Sequence, residues 1–403
     1  MSGAKNRPIF LIELINILGF LLLFMHTSFN PEIVYTGFGV CILNLVVYKI
    51  ISHFELGDTY MYLMVSMLVS IGLLMMFRLD VYRGFLQMQW FIIGIVTMFA
   101  VYMIYRLVKK WDSLAPLYMI ATFVLFVVTL IFGDTINGSK NWITIGSKSV
   151  QPSEIIKILY VFTIASFVSK DTTDEKRRKI EKKDIILMAY VYMCLGFLVL
   201  QREWGTTVLF MLVYFVMMFL YNTPKKFLFA NILLTAIVLV LGYFATSHIS
   251  SRVNVWLDPW ADATGKGYQV TQSLIAIASG GFFGSGLGSG NPYLIPEVHS
   301  DFIFAAICEE MGMFMGIAII LLYFIFSYRG FKVALITKNS FNRALSLGLV
   351  TCFGFQTFII VGGVIKFIPL TGITLPFVSY GGSSMISCFI ILGLLTAISH
   401  NNT

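Results

Sequence analysis

Apolar runs of roughly 16–27 residues recur along almost the whole chain, separated by short polar breaks. They fall at roughly 9–26, 33–51, 59–77, 88–106, 114–133, 154–169, 184–200, 205–221, 227–247, 301–327, 344–364 and 383–399. A run of about 20 apolar residues crosses a bilayer as one helix. Helices and closed barrels are the structures that satisfy every backbone polar group in lipid. These runs lack the alternation of barrel strands. The expected fold class is therefore all-α, a polytopic membrane helix bundle, with the sixth to eighth runs short enough to be tilted or kinked. Composition agrees: 12% of residues are charged and 58% hydrophobic, against roughly 25% charged in a soluble domain. The 403 residues read as one integral membrane domain.

A net charge of +8 raises the question of a nucleic-acid partner. The basic residues lie between the apolar runs and form no basic domain, so topology explains them and no nucleic acid is expected. With the N-terminus inside, the inner segments hold 19 Lys and Arg and the outer segments 8. That bias places both termini of a chain that crosses its membrane many times in the cytoplasm. The run from Lys176 to Lys183 is then a cytoplasmic loop facing anionic membrane lipids. The five cysteines lie in or beside apolar runs, which suits buried packing better than disulfides or metal ligation. No small-residue cleavage site follows the first run, so it reads as a retained helix.

Two long segments face outward on this topology, roughly 134–153 and 248–300. The second is too long for an ordinary structureless connection, so it is a functional lid or partly helical. Its glycines, from Gly280 to Gly290, permit tight backbone packing or a re-entrant turn. Asp301 follows, at the start of the tenth run, with Glu297 and His299 beside it and Ala305 and Glu309 on the same face at helical spacing. An ionisable group at the water–lipid boundary is a site hypothesis by default, although Asp ahead of an apolar run also makes a good helix cap. Glu309 and Glu310 lie deeper, and need protonation or a basic partner.

A second cluster joins Lys140 and Trp142 to Ser153, Glu154 and Lys157. Glu154 and Lys157 share a helix face. They form either a simple ion pair or part of a basic, aromatic lip for an anionic, sugar-bearing ligand. Arg252 is a natural phosphate partner through its planar fork of donors, and Gln272 and Ser273 add outward polar groups. A third cluster runs from Pro369 to Ser384 and includes Ser379. Its prolines and glycines preclude a regular helix, and irregular backbone at membrane depth is tolerated only where protein buries it or it lines a cavity.

Together these clusters resemble the SEDS family (shape, elongation, division and sporulation), whose members include RodA, FtsW and SpoVE. The match rests on Asn141-Trp142-Ile143 with Gln151-Pro152-Ser153-Glu154 and Lys157, and on Gly265-Lys266-Gly267-Tyr268-Gln269 with Gln272-Ser273. It rests also on Pro296-Glu297 through Phe304, and on Leu375-Pro376-Phe377-Val378-Ser379-Tyr380-Gly381-Gly382-Ser383-Ser384. The resemblance implies a ten-helix core at 53–403 with the large outer loop at 248–300, preceded by two extra helices within 1–52. It implies a peptidoglycan glycosyltransferase that polymerises lipid II outside the cytoplasmic membrane, paired with a class B penicillin-binding protein. Asp301 stands where the family has its essential aspartate, and Lys140, Trp142, Glu154, Lys157 and Arg252 match positions lining its outward cavity. A divalent cation, Mg or Mn, is implied by the resemblance alone. Two further departures stand out. Gln201-Arg202-Glu203-Trp204-Gly205-Thr206 replaces the usual Gln-Pro-Asp-Leu-Gly-Thr, and Lys366 with Gly362-Gly363 replaces an Asn-bearing stretch.

The implied reaction is an inverting transfer with Asp301 as general base, at an ordinary Asp pKa near ~4. Arg252, Lys140 and Lys157 are then the cations facing the diphosphate. Two other functions fit the same spans: a flippase for the lipid-linked precursor, and a non-catalytic activator of a transpeptidase.

Overall fold

The computed structural model describes residues 7–26, 29–136, 138–146, 148–169, 180–221 and 223–400. Lys5, Lys170 and the basic residues of 176–179 lie outside the described residues. In chain order the helices are α1 Arg7–His26, α2 Pro31–His53, α3 Thr59–Leu79, α4 Val81–Leu107, α5 Ala115–Phe132, α6 Ser153–Val168, α7 Lys182–Leu200 and α8 Trp204–Leu220. They continue as α9 Lys225–Ala245, α10 Ser247–Leu257, α11 Tyr268–Gly280, α12 Ile303–Ile336, α13 Ser340–Val364 and α14 Gly382–His400. Among the described residues ten helices are long and apolar enough to cross a membrane. Two more, α6 and α8, occupy the expected sixth and eighth runs at 16 and 17 residues.

Polar residues at the breaks start these helices. Asn30, Asp58, Asp80 and Asn339 each accept a backbone N–H of the first turn of α2, α3, α4 and α13, which satisfies donors the helix leaves open. The Asp58 carboxylate also takes two bonds from Arg329, at 2.6 and 2.7 Å. Helices α3, α13 and α14 are buried over most of their length, whereas α1, α4, α5 and α9 expose most of theirs. The bundle therefore has a buried centre, which α6 shares with 12 of its 16 residues buried, and an apolar outer layer suited to lipid. Small residues bring helices together: a Cβ on Gly393 of α14 would lie 2.6 Å from the Met98 carbonyl of α4. All five cysteines are free and buried.

The structure departs from the sequence reading in two places. Segment 134–150 forms a three-stranded antiparallel sheet, β1 Asp134–Ile136, β2 Ser139–Ile145 and β3 Lys148–Val150, in the order β1-β2-β3. The tenth run is also a broken helix. Gly312 leaves helical geometry at φ 79°, ψ 170°, and the glycine-rich segment after α11 fills the break. Ser285 and Gly286 donate their N–H groups to the carbonyls of Glu309 and Glu310, at 2.9 and 3.0 Å. Met313 and Phe314 donate to the carbonyls of Gly281 and Phe282, at 3.0 and 3.1 Å. The ladder is thus closed by a neighbouring segment, as lipid-depth backbone requires. A Cβ at Gly312 would meet the Phe282 carbonyl at 2.3 Å, so only glycine fits. Arg78 of α3 is the basic partner that the deep glutamates called for. Its Nε lies 3.0 Å from Glu310 Oε1, while Gly288 and Asn291 donate N–H groups to Glu310 and Glu309.

Segment 248–300 is partly helical, the second of the two forms expected for it. It holds α10, α11 and two short 3-10 turns at Pro259–Asp262 and Pro292–Leu294.

Candidate active site

The irregular stretch between α13 and α14 is the hub on which the site is assembled. Prolines and glycines keep it out of a helix, and its polar groups are met from several directions. Gln356 Nε2 donates to the Thr374 carbonyl at 3.0 Å and Tyr323 OH to that of Pro376 at 2.5 Å. Gln87 Nε2 donates to the Ser379 carbonyl at 3.0 Å. Ser379 Oγ donates to the Ser300 carbonyl at 2.5 Å and accepts the Leu375 N–H at 2.9 Å, while Tyr380 N–H reaches the His299 carbonyl at 2.9 Å. Ser379 is therefore a buried clamp that fixes segment 299–301 against the hub. Ser273 acts similarly, as its Oγ holds the Val364 carbonyl at 3.2 Å and ties α11 to the end of α13.

Helix α10 approaches the same stretch. Arg252 Nη1 donates to the Leu370 carbonyl at 2.6 Å and Trp256 Nε1 to that of Lys366 at 3.2 Å. Beyond Leu370 the chain turns at Gly372, φ 73°. A Cβ there would lie 3.4 Å from Asp301 Oδ2 and 3.7 Å from Arg252 Nη2. Gly372 thus lets a carboxylate and a guanidinium from segments about fifty residues apart converge over bare backbone.

Asp301 is half-buried and stands two residues ahead of α12. It is not the helix cap: Phe302 takes that position and no side chain caps the helix. The helical spacing expected to align it with Ala305 and Glu309 does not extend back to it, because the chain turns from Glu297, φ 55°. Burial first, and then the charge of Glu297, lift the Asp301 carboxyl to about 6 against the downward pull of Ser300 and Arg252. That is well above the ordinary value near ~4 expected from sequence. Burial also lowers the pKa of Arg252, opposed by Asp301. His299 is half-buried with no hydrogen bond to Nε2 among the described residues. Burial and then Arg83 lower its pKa, against Asp80 and Glu297, so it is neutral at pH 7.

The second cluster sits elsewhere on the hub. Lys157 is 3% exposed, with Nζ 2.7 Å from Glu154 Oε2 and 2.8 Å from Gln356 Oε1. Ser387 Oγ donates to the same Glu154 oxygen. The ion pair read from the spacing forms, and Gln356 and Ser387 complete it. Gln356 carries a detectable signal, an amide inside an apolar run, whereas Ser387 carries none.

Lys140 and Trp142 stand half-buried on β2, on the sheet that packs against α5. Neither shares a hydrogen bond or ion pair with Asp301 or Arg252 among the described residues. Their neighbour Asn141 belongs to another knot. Asn141 Nδ2, Gln151 Nε2 and Ser153 Oγ all donate to Glu203 Oε1, at 2.5, 2.8 and 3.0 Å, and burial raises the Glu203 pKa against them. Glu203, the acid of the atypical Gln201–Thr206 stretch, thus binds sheet, α6 and α8 together. Gln272 lies half-buried on α11.

The family model of cell cycle proteins typified by FtsW, RodA and SpoVE matches residues 50–403. The chain belongs to this SEDS family. Among its relatives, peptidoglycan glycosyltransferase RodA of Mycobacterium tuberculosis is 34% identical over 358 residues, 83% of this chain and 76% of that one. Stage V sporulation protein E of Bacillus subtilis is 34% identical over 316 residues, 76% of this chain and 84% of that one. The fold resembles Thermus thermophilus RodA, with a TM-score of 0.62 and 24% identity over 86% of this chain and 97% of that one. It resembles also a chain of a peptidoglycan synthase complex that coordinates polymerisation and crosslinking, with a TM-score of 0.73 and 24% identity over 86% and 98%. The SEDS family match opens at residue 50, so α1 and nearly all of α2 precede it.

Proposed function

We propose that the chain is a peptidoglycan glycosyltransferase that polymerises lipid II at the outer face of the cytoplasmic membrane, with Asp301 as general base. The observation that carries this reading is the convergence of Asp301 and Arg252 over Gly372, within a chain of this family. In the proposed step, the Asp301 carboxylate takes the proton of the acceptor sugar's 4-hydroxyl as that oxygen bonds to the donor's anomeric carbon. The bond from that carbon to the lipid diphosphate breaks on the opposite face, and its electron pair leaves with the diphosphate. The configuration inverts, and no covalent enzyme intermediate forms, so one carboxylate suffices where a glycosidase needs two. A base with a pKa of about 6 is about nine-tenths ionised at pH 7 and closer to the optimum for proton transfer than an ordinary aspartate.

The outward orientation rests on the Lys and Arg bias, with both termini inside. Residues 53–403 are read as the catalytic core, with 1–52 an added helical pair of unassigned role. A class B penicillin-binding protein is the proposed partner, by analogy with the complex that couples polymerisation to crosslinking. Among the described residues no three His, Cys, Asp or Glu converge as a metal site, and Arg252 stands beside Asp301. The proposed Mg2+ or Mn2+ would come in with the substrate's phosphates, and polymer synthesis titrated with EDTA tests it.

Purified protein given lipid II decides the main reading. Wild type should make glycan polymer, and Asp301→Asn should lower the rate by about 10²–10⁴-fold with an unchanged melting temperature. Lipid crossing in vesicles that survives Asp301→Asn, without polymer, would mark a transporter instead.

A further inference from the structure

A cleft of about 110 Å³ opens between α10, α11 and the outer end of α13, lined among others by Arg252, Trp256, Lys266, Gln269, Lys366 and Leu370. No carboxylate lines it. Asp262 accepts the backbone N–H of Lys266 at 2.9 Å. Neither the Lys266 nor the Lys366 ammonium has a hydrogen-bond or ion-pair partner among the described residues. Three cations facing one small cleft repel each other, and an anion held there would relieve that repulsion.

The backbone at Lys366 adds an independent observation. Its φ is 60°, the left-handed region that favours glycine and costs another residue about 1 kcal/mol or more. The conformation is held from both sides: Lys366 N–H donates to the Gly363 carbonyl at 3.2 Å, and its own carbonyl accepts Trp256 Nε1. A lysine where glycine would relieve strain points to a role for the ammonium. Of the three cations expected from sequence, Arg252 lines this cleft, whereas Lys157 is matched by Glu154 and Gln356 and Lys140 sits on the sheet.

We infer that Arg252, Lys266 and Lys366 form a subsite for a diphosphate ester, adjoining Asp301 through Arg252. As the donor's anomeric C–O bond breaks, the diphosphate gains one negative charge, and the three cations stabilise it there. The inference rests on the glycosyl-transfer reading for what carries the diphosphate, whereas the anion chemistry rests on the cleft itself.

Inorganic pyrophosphate is the probe, with binding to the purified protein measured by calorimetry. Wild type should bind it, and Lys366→Gly and Lys266→Gln should each weaken it by about tenfold or more. Lys366→Gly should melt no lower than wild type, because glycine accepts the backbone, and should raise KM for lipid II more than it lowers kcat. Asp301→Asn should keep pyrophosphate affinity within about twofold. Absent binding, or equal affinity in wild type and Lys366→Gly, overturns the subsite. Vesicles of phosphatidylglycerol that displace pyrophosphate, with KM for lipid II unmoved by Lys366→Gly, assign the cleft to membrane headgroups and overturn the donor-site reading. Lysine-dependent binding in a protein whose Asp301→Asn variant still polymerises at full rate keeps the subsite and removes the catalytic base.

Discussion

Arg252 meets the irregular segment between α13 and α14 directly and Lys157 meets it through Gln356, and the chain treats the two cations in opposite ways. Lys157 is almost wholly buried and finds a carboxylate and an amide at 2.7 and 2.8 Å, with Ser387 completing the carboxylate. Arg252 is half-buried and gives one N–H to a backbone carbonyl. Its acidic neighbour, Asp301, sits across a glycine with its pKa pushed up, and Lys266 and Lys366 nearby add charge without compensation. A matched buried cluster holds helices in register. A half-exposed group in which three cations share one carboxylate has an unmet demand that a substrate can fill.

That contrast breaks most visibly at Lys157. Lys157→Met leaves Glu154 without its cation and should destabilise the protein by about 3–5 kcal/mol, whereas Glu154→Gln with Lys157→Met should recover most of the loss. Unfolding in detergent measures both, and a single-variant loss below about 1 kcal/mol would remove the structural half of the comparison. Arg252→Gln is expected to act the other way, with a melting temperature close to wild type and polymer synthesis slower by about 10–100-fold. If it unfolds the protein as Lys157→Met does, the two clusters are not different in kind. The smallest effect belongs to Gly372→Ala. Its Cβ would enter beside Asp301 Oδ2 at φ 73°, and strain of about 1 kcal/mol should lower the rate several-fold while leaving pyrophosphate affinity in place. A loss of pyrophosphate affinity instead would mean that the glycine shapes the cleft as well as the base.

Much of this was readable from residue order because lipid imposes a simple code. Each of the twelve apolar runs corresponds to a helix in the structure, and Asp301, Arg252 and the hub were visible as polar or irregular groups in an apolar chain. What was hidden depends on contacts between distant segments. Gln356 pairs with Lys157 across 199 residues, a separation no helical spacing encodes. The break at Gly312 follows the Glu309-Glu310 pair inside the tenth run, and neither apolarity nor a pair of carboxylates reports backbone angles. The sheet at 134–150 is built from strands of three, seven and three residues, too short for alternation to register. The raised pKa of Asp301 comes from burial by the folded hub, so the value near ~4 expected for a free aspartate was the wrong one. Lys366 stands out in the sequence as a departure, but its place in the cleft and its φ are properties of the fold.

Polymer synthesis from lipid II, measured against pH with purified protein, tests the central claim most directly. If Asp301 is the base, activity should be steady near neutrality and fall tenfold per unit below an apparent pKa of about 6. Glu297 raises that pKa and Arg252 lowers it, so Glu297→Gln should move the acid limb down and Arg252→Gln should move it up. A limb near ~4, or one that neither substitution moves, would contradict the assignment of Asp301 as the group that takes the proton.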